Sequence, residues 1–182
     1  MKMFLKTREK LGRKILNKKA AKLLRTKCFH NFETAQKVGI LFDSCQQVTY
    51  WAAKRLIAFL EQKNIEVESI GQVLTDEMLK YFPPSNQISL FSLEQINFFG
   101  FPKSQDVEDF IKKDFDILIN LCTKENLQIN YVLGLSKAKF KISKNYETQF
   151  ADFILEFKNN RNPETDELIE KIKFYMQSIS KA

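Results

Sequence analysis

The chain alternates between two patterns of apolar and polar residues. Short, nearly continuous apolar runs are typical of buried parallel strands, and they are clearest at 38–43 and 115–122. Between such runs, apolar residues recur at helical spacing, as expected of helices that cover a sheet. The pattern predicts, in chain order, strands at 38–43, 65–71, 88–99, 115–122, 139–142 and 150–157, and helices at 46–62, 74–82, 104–113, 126–135 and 162–178.

Strands that alternate with helices predict an α/β domain with three layers and a mainly parallel sheet. The last two strands are separated by a short polar turn, so we expect them to form a hairpin and to make the C-terminal edge of the sheet antiparallel. No linker of low complexity interrupts the body of the chain. We therefore predict a single α/β domain over residues 31–182, preceded by a helical extension over residues 1–30.

The first 27 residues have an unusual charge. They contain eleven Lys and Arg and one acid, a net charge of +10, whereas the whole chain carries +7 and the remainder therefore −3. The stretch lacks Pro and is rich in Lys, Leu, Arg and Ala, which favour a helix. Its apolar side chains share one arc of the helix, which three basic residues interrupt. The sequence therefore predicts a basic amphipathic helix.

This charge favours a polyanionic partner, since neutralising phosphates releases counterions. We expect a non-enzymatic binding protein whose helix contacts RNA, with the ribosome as a candidate partner. The same helix could instead lie on an anionic membrane surface, or it could pack against the mildly acidic body. The predicted RNA-contacting residues are Lys6, Arg8, Lys10, Arg13, Lys14, Lys18, Lys19, Lys22, Arg25 and Lys27.

A second candidate site lies where strands end, because doubly wound sheets bind ligands beyond the carboxyl ends of their strands. A small-molecule-binding protein or an enzyme using this edge is the alternative function. The loops lack a glycine-rich phosphate motif and the chain lacks a recognisable catalytic motif, so no cofactor is expected. Ser44 also fits a helix capping box. The candidate pocket residues are Asp43, Ser44, Asn120, Thr123 and Lys124.

Three further features refine this picture. Cys28, Cys45 and Cys122 are widely spaced, which predicts free thiols in a reducing cytoplasm. The single histidine, His30, has no set of further ligands at metal-site spacing, and no apolar run is long enough to span a bilayer. We therefore expect a cytoplasmic protein without a metal site.

Three lysines alternate with apolar residues in the strand at 139–142 and just before it. The alternation predicts that Lys137, Lys139 and Lys141 line the solvent side of an edge strand. In that position they would discourage pairing with other strands, or they would contact phosphate groups.

Several of these stretches resemble a bacterial family of unknown function with an α/β domain. The resemblance lies in VGILFDS at 38–44, FDILINL at 115–121, LSKAKFKI at 135–142 and FADFIL at 150–155. It covers nearly the full length and implies a bacterial, cytoplasmic protein with a basic helical lead-in. It implies no activity and no site residues.

Overall fold

A computed structural model describes residues 2–44, 47–83, 85–144 and 148–179, and the side chains from residue 7 onward except those of residues 148 and 160. The described residues contain five α-helices and six β-strands. The helices are α1 (Lys2–Ala21), α2 (Gln47–Glu61), α3 (Gln105–Lys112), α4 (Leu127–Leu135) and α5 (Thr165–Ser178). The strands are β1 (Lys37–Asp43), β2 (Glu66–Val73), β3 (Ile88–Ser92), β4 (Ile117–Asn120), β5 (Phe140–Lys144) and β6 (Phe153–Leu155).

The strands form one sheet in the order β3-β2-β1-β4-β5-β6, and every neighbouring pair is parallel. β1 and β4 lie side by side at the centre, with Val38 opposite Ile117 and Leu41 opposite Asn120. The chain builds the sheet outward from β1 in one direction and then from β4 in the other. This reversal of order creates a crevice at the carboxyl ends of β1 and β4, which is the usual ligand position in doubly wound sheets.

The predicted antiparallel C-terminal edge is wrong. β5 and β6 pair in parallel, with Ile142 opposite Phe153 and Lys144 opposite Leu155. Asp152, just before β6, donates its backbone N–H to the carbonyl of Lys141, and its carboxylate accepts the backbone N–H of Lys141. These bonds start β6 beside the amino half of β5, so the chain returns along the sheet before β6 begins.

Helices cover both faces of the sheet, which confirms the α/β class. Side chains of α2 and α5, among them Leu56 and Ile172, pack in one core with β1 and β4. The opposite core joins Leu16 of α1 to Phe110 of α3 and Val132 of α4. The basic N-terminal helix is therefore one of the elements that cover this second face.

The contact of α1 with the body is close. Leu16 is 1% exposed and lies in the second core. Gly12 lies against the backbone carbonyl of Phe99 and against Leu127, so a side chain at residue 12 would meet that carbonyl. Half-buried Ile15 and Ala20 also pack on this core, whereas Leu11 remains 43% exposed. The body covers much of the apolar face of α1 in the part whose side chains are described.

Candidate functional site

Several of the predicted RNA-contacting residues bind the body of the protein. The Arg8 guanidinium donates to the carbonyl of Asn97 at 3.2 Å and lies over the ring of Phe98. Arg13 pairs with Glu9 at 2.9 Å and with Glu125. The contacts with Asn97, Phe98 and Glu125 join α1 to the body, whereas the Arg13–Glu9 pair lies within the helix.

Arg25 and Lys27 follow α1 and reach the region of β6. The Arg25 guanidinium donates to both oxygens of Asp152, at 2.6 and 2.7 Å, and to the carbonyls of Ala138 and Lys139. The Lys27 ammonium lies 3.2 Å from the same carboxylate. Burial of Asp152 acts to raise its pKa, but the hydrogen bonds from Arg25 and from the Lys141 amide together lower it below its usual value.

Three lysines of α1 and one lysine just after it face solvent. Lys10, Lys14 and Lys18 of α1 are exposed, as is Lys22 in the turn that follows the helix. The four recur at every fourth residue, so they form a stripe along the helix and past its end. We call them the lysine stripe. No carboxylate of the described residues lies within ion-pair distance of any of the four. Lys19 is exposed beside the stripe, with its ammonium over the rings of Phe101 and Tyr131. The side chain of Lys6 lies outside the described residues.

The second candidate site, at the carboxyl ends of the strands, lies among buried polar residues. Buried polar residues gather where strands end, whereas apolar residues predominate in the strand centres. Two of them have unpartnered oxygens, the Oγ of Ser44 and the Oε1 of Gln72. The predicted cap from Ser44 to α2 is therefore not formed. Buried polar groups normally have hydrogen-bond partners, so these two oxygens are unusual. The buried polar residues at this edge are Ser44, Gln72, Ser92, Asn120, Ser143 and Lys144.

A cavity of about 460 Å³ opens at the carboxyl ends of β1 and β4 and is bordered by the start of α5. Of the five predicted pocket residues, Asp43, Thr123 and Lys124 line it. Ser44 and Asn120 are buried nearby and are not part of the lining. The Asn120 amide N–H donates to Ser143 Oγ at 3.2 Å, and its carbonyl accepts the backbone N–H of Cys122 at 3.0 Å. Asn120 therefore holds the loop that carries the lining residues.

The sequence predictions missed the α5 side of this cavity. Pro163, Glu164, Thr165 and Asp166 complete the lining together with Val48 and Thr49 of α2. Three acids, Asp43, Glu164 and Asp166, therefore face one lysine, Lys124. Asp166 also pairs with Arg55 on the protein surface. With Asp166 paired, Asp43 and Glu164 still outnumber Lys124, and this balance disfavours a phosphate and favours a hydroxyl-rich or cationic ligand.

Of the three lysines predicted on the solvent side of an edge strand, Lys141 is buried, and the prediction of an edge strand is wrong. β5 lies between β4 and β6 and is not an edge strand. Lys137 is exposed, Lys139 donates to Asp116 at 2.8 Å, and Lys141 is only 2% exposed. The Lys141 ammonium donates to the carbonyl of Leu133 at 2.6 Å, at the C-terminal end of α4. Burial lowers the pKa of Lys141 to about 7.

The described part of the chain holds no helix long and apolar enough to cross a bilayer. Its His, Cys, Asp and Glu side chains form no group of three that could hold a metal ion.

Comparison with known proteins places the chain in a family. No curated protein and no solved structure matches it. A family of unknown function (DUF6913) matches residues 8–179, which include all of the sheet and most of α1. The match therefore includes both the basic helix and the α/β body, and the chain belongs to this family of unknown function.

Proposed function

We propose that this protein is a non-enzymatic binding protein that contacts structured RNA through the lysine stripe of α1. The observation that carries the proposal is that the apolar face of α1 packs against the body while Lys10, Lys14, Lys18 and Lys22 face solvent. The helix therefore presents its charge in a fixed orientation.

The dimensions of the stripe suit a phosphate backbone. Residues four apart on a helix are about 6 Å apart along its axis, so the stripe extends for about 12 Å from Lys10 to Lys18, and Lys22 follows in the turn after α1. Arg8, Arg13 and Arg25 already bond to the body, which leaves the lysines to meet the partner. Because α1 is already folded and docked, binding would order only lysine side chains, which lowers its entropic cost.

The membrane alternative depends on the apolar face of the same helix. Leu16 is buried in the protein core, and Ile15 and Ala20 pack against that core. Insertion into a bilayer needs this face to be free. RNA is therefore the favoured partner. Ribosomal RNA is the first candidate, since the family resemblance of the sequence implies a bacterial, cytoplasmic protein.

Fluorescence anisotropy with a labelled RNA hairpin tests the proposal. A variant in which Lys10, Lys14, Lys18 and Lys22 are all changed to Gln should bind at least about a hundredfold more weakly at low salt, because up to four phosphate contacts are lost. The helix should stay folded, since none of the four side chains is buried.

The matched control changes four exposed lysines outside α1, namely Lys63, Lys80, Lys103 and Lys158, to Gln. It removes the same charge and should keep most of the affinity. Equal losses in the two variants would contradict a site on α1, and a wild-type protein that ignores RNA at low salt would exclude the proposal.

A small-molecule site at the β1–β4 crevice is the second candidate function. It is favoured by the cavity at the reversal of strand order, by its three acids and by its three threonine hydroxyls. We expect small amines or polyols to raise the melting temperature of the wild-type protein. The Asp43→Asn variant should lose much of this shift for the amines. If only phosphates and carboxylates stabilised the protein, the proposed amine or polyol site at this cavity would be contradicted.

A further inference from the structure

A second cavity, of about 370 Å³, lies between the C-terminal end of α1 and the sheet. Arg25, Lys27 and Lys141 line it, together with apolar side chains that include Leu23, Leu24 and Phe150. None of the described lining residues is acidic. Its charge is thus opposite to that of the β1–β4 crevice.

We propose that this cavity binds a small organic anion, a carboxylate carrying a short aliphatic chain. The site is separate from the lysine stripe and does not depend on RNA binding. Lys141 is buried in the wall of the cavity, and one N–H of its ammonium donates to Leu133. An ammonium has three N–H donors, so Lys141 retains donors for a carboxylate.

The basic residues around Lys141 favour an anion. Arg25 and Lys27 share one carboxylate, that of Asp152, so the group keeps net positive charge when Lys141 is protonated. Asp152 does not line the cavity. A bound carboxylate would receive charge-assisted hydrogen bonds in a partly dry site, where such bonds are strongest.

The apolar part of the lining indicates an aliphatic chain. Leu24 is 91% exposed beside the cavity, and Leu23 is half-buried. A hydrocarbon chain that covers these side chains removes apolar surface from water, which favours binding. A purely polar anion such as phosphate would leave this surface exposed.

Binding should depend on pH. Burial lowers the pKa of Lys141 to about 7, Arg25 and Lys27 lower it in the same direction, and Asp152 opposes them. A nearby carboxylate favours the protonated ammonium. Binding of the carboxylate therefore takes up a proton, and it weakens as the pH rises above the pKa that Lys141 has in the unliganded protein.

Titration calorimetry of the full chain with octanoate tests this inference, with 1-octanol as the uncharged ligand of equal chain length. Octanoate should bind at least about tenfold more weakly at about pH 9 than at about pH 6, because deprotonated Lys141 offers no charge. Octanol should bind weakly, with little dependence on pH. Equal affinities for octanoate and octanol, or no octanoate binding at either pH, would overturn the proposal.

The Lys141→Gln variant adds a second readout. Its octanoate affinity at about pH 6 should fall at least about tenfold, since a charge-assisted hydrogen bond is lost. Lys137→Gln, at an exposed lysine that lines neither cavity, should leave octanoate affinity unchanged. If the Lys141→Gln variant binds octanoate as tightly as the wild type does, the proposed site is overturned. Loss of RNA affinity in this variant without any octanoate binding to the wild type would also overturn it, because the cavity would then hold an RNA phosphate.

Discussion

Lys141 is a lysine enclosed by other residues, with its ammonium bonded to the Leu133 carbonyl at the end of α4. Its alternation with Phe140 and Ile142 indicates one solvated strand face, and the prediction from the sequence followed that pattern. Leu133 of α4 accepts the hydrogen bond of Lys141, and Arg25 and Phe150 line the same cavity as Lys141. Arg25 is more than a hundred residues from β5 in the sequence. Strand alternation shows that alternate side chains share a face, but not that a helix will cover it.

The pKa of Lys141 has a consequence for stability. Its pKa is about 7 in the folded protein and 10.5 at its ordinary value. Between these values the unfolded chain holds more protons than the folded chain, so stability rises as the pH rises. The penalty for burying the charge is complete below about pH 7 and absent above about 10.5.

Replacing this lysine by Met should therefore stabilise the protein more at low pH. We expect the gain in unfolding free energy for Lys141→Met to be larger at about pH 6 than at about pH 10 by on the order of 3 kcal/mol. Urea denaturation at both pH values measures the gain. Lys137→Met, at an exposed lysine, should change stability little at either pH, and a pH-independent effect of Lys141→Met would contradict the buried charge.

Among the helices and strands, those with strong local sequence patterns were predicted correctly. β1 and β4 are nearly continuous apolar runs and were predicted, as was α5, which begins just after Asn162-Pro163. The direction of β6 was not, because it depends on bonds that join Asp152 to Arg25 and to Lys141. In the crevice, the loop residues after β1 and β4 were predictable from strand ends, whereas the contribution of α5 required the three-dimensional fold.

The docking of α1 is a second property of an element, and Leu16 tests it. Leu16→Ala should lower the unfolding free energy by about 3 kcal/mol, because it leaves a cavity in the core. Leu24→Ala, at a side chain that is 91% exposed, should cost less than about 0.5 kcal/mol. Chemical denaturation measures the unfolding free energy of both variants. Similar small effects would show that α1 does not share the core of the body.

Across the whole molecule, basic and acidic side chains are concentrated on different surfaces. The lysine stripe lies on one face, an acidic crevice lies at the β1–β4 reversal, and a basic cavity lies behind the end of α1. The residues after position 27 carry a net −3. An extended polyanion is therefore repelled by much of the body and attracted to α1, which should orient it along the helix.

Salt dependence of RNA binding tests this central claim most directly. The logarithm of the binding constant for a structured RNA falls linearly with the logarithm of salt concentration, and the slope reports the phosphates neutralised. Changing the four lysines of the stripe to Gln should reduce the magnitude of that slope by about 3, as expected when up to four contacts are lost. The control variant at Lys63, Lys80, Lys103 and Lys158 should keep the wild-type slope. A stripe variant with the wild-type slope would contradict the proposed RNA site on α1.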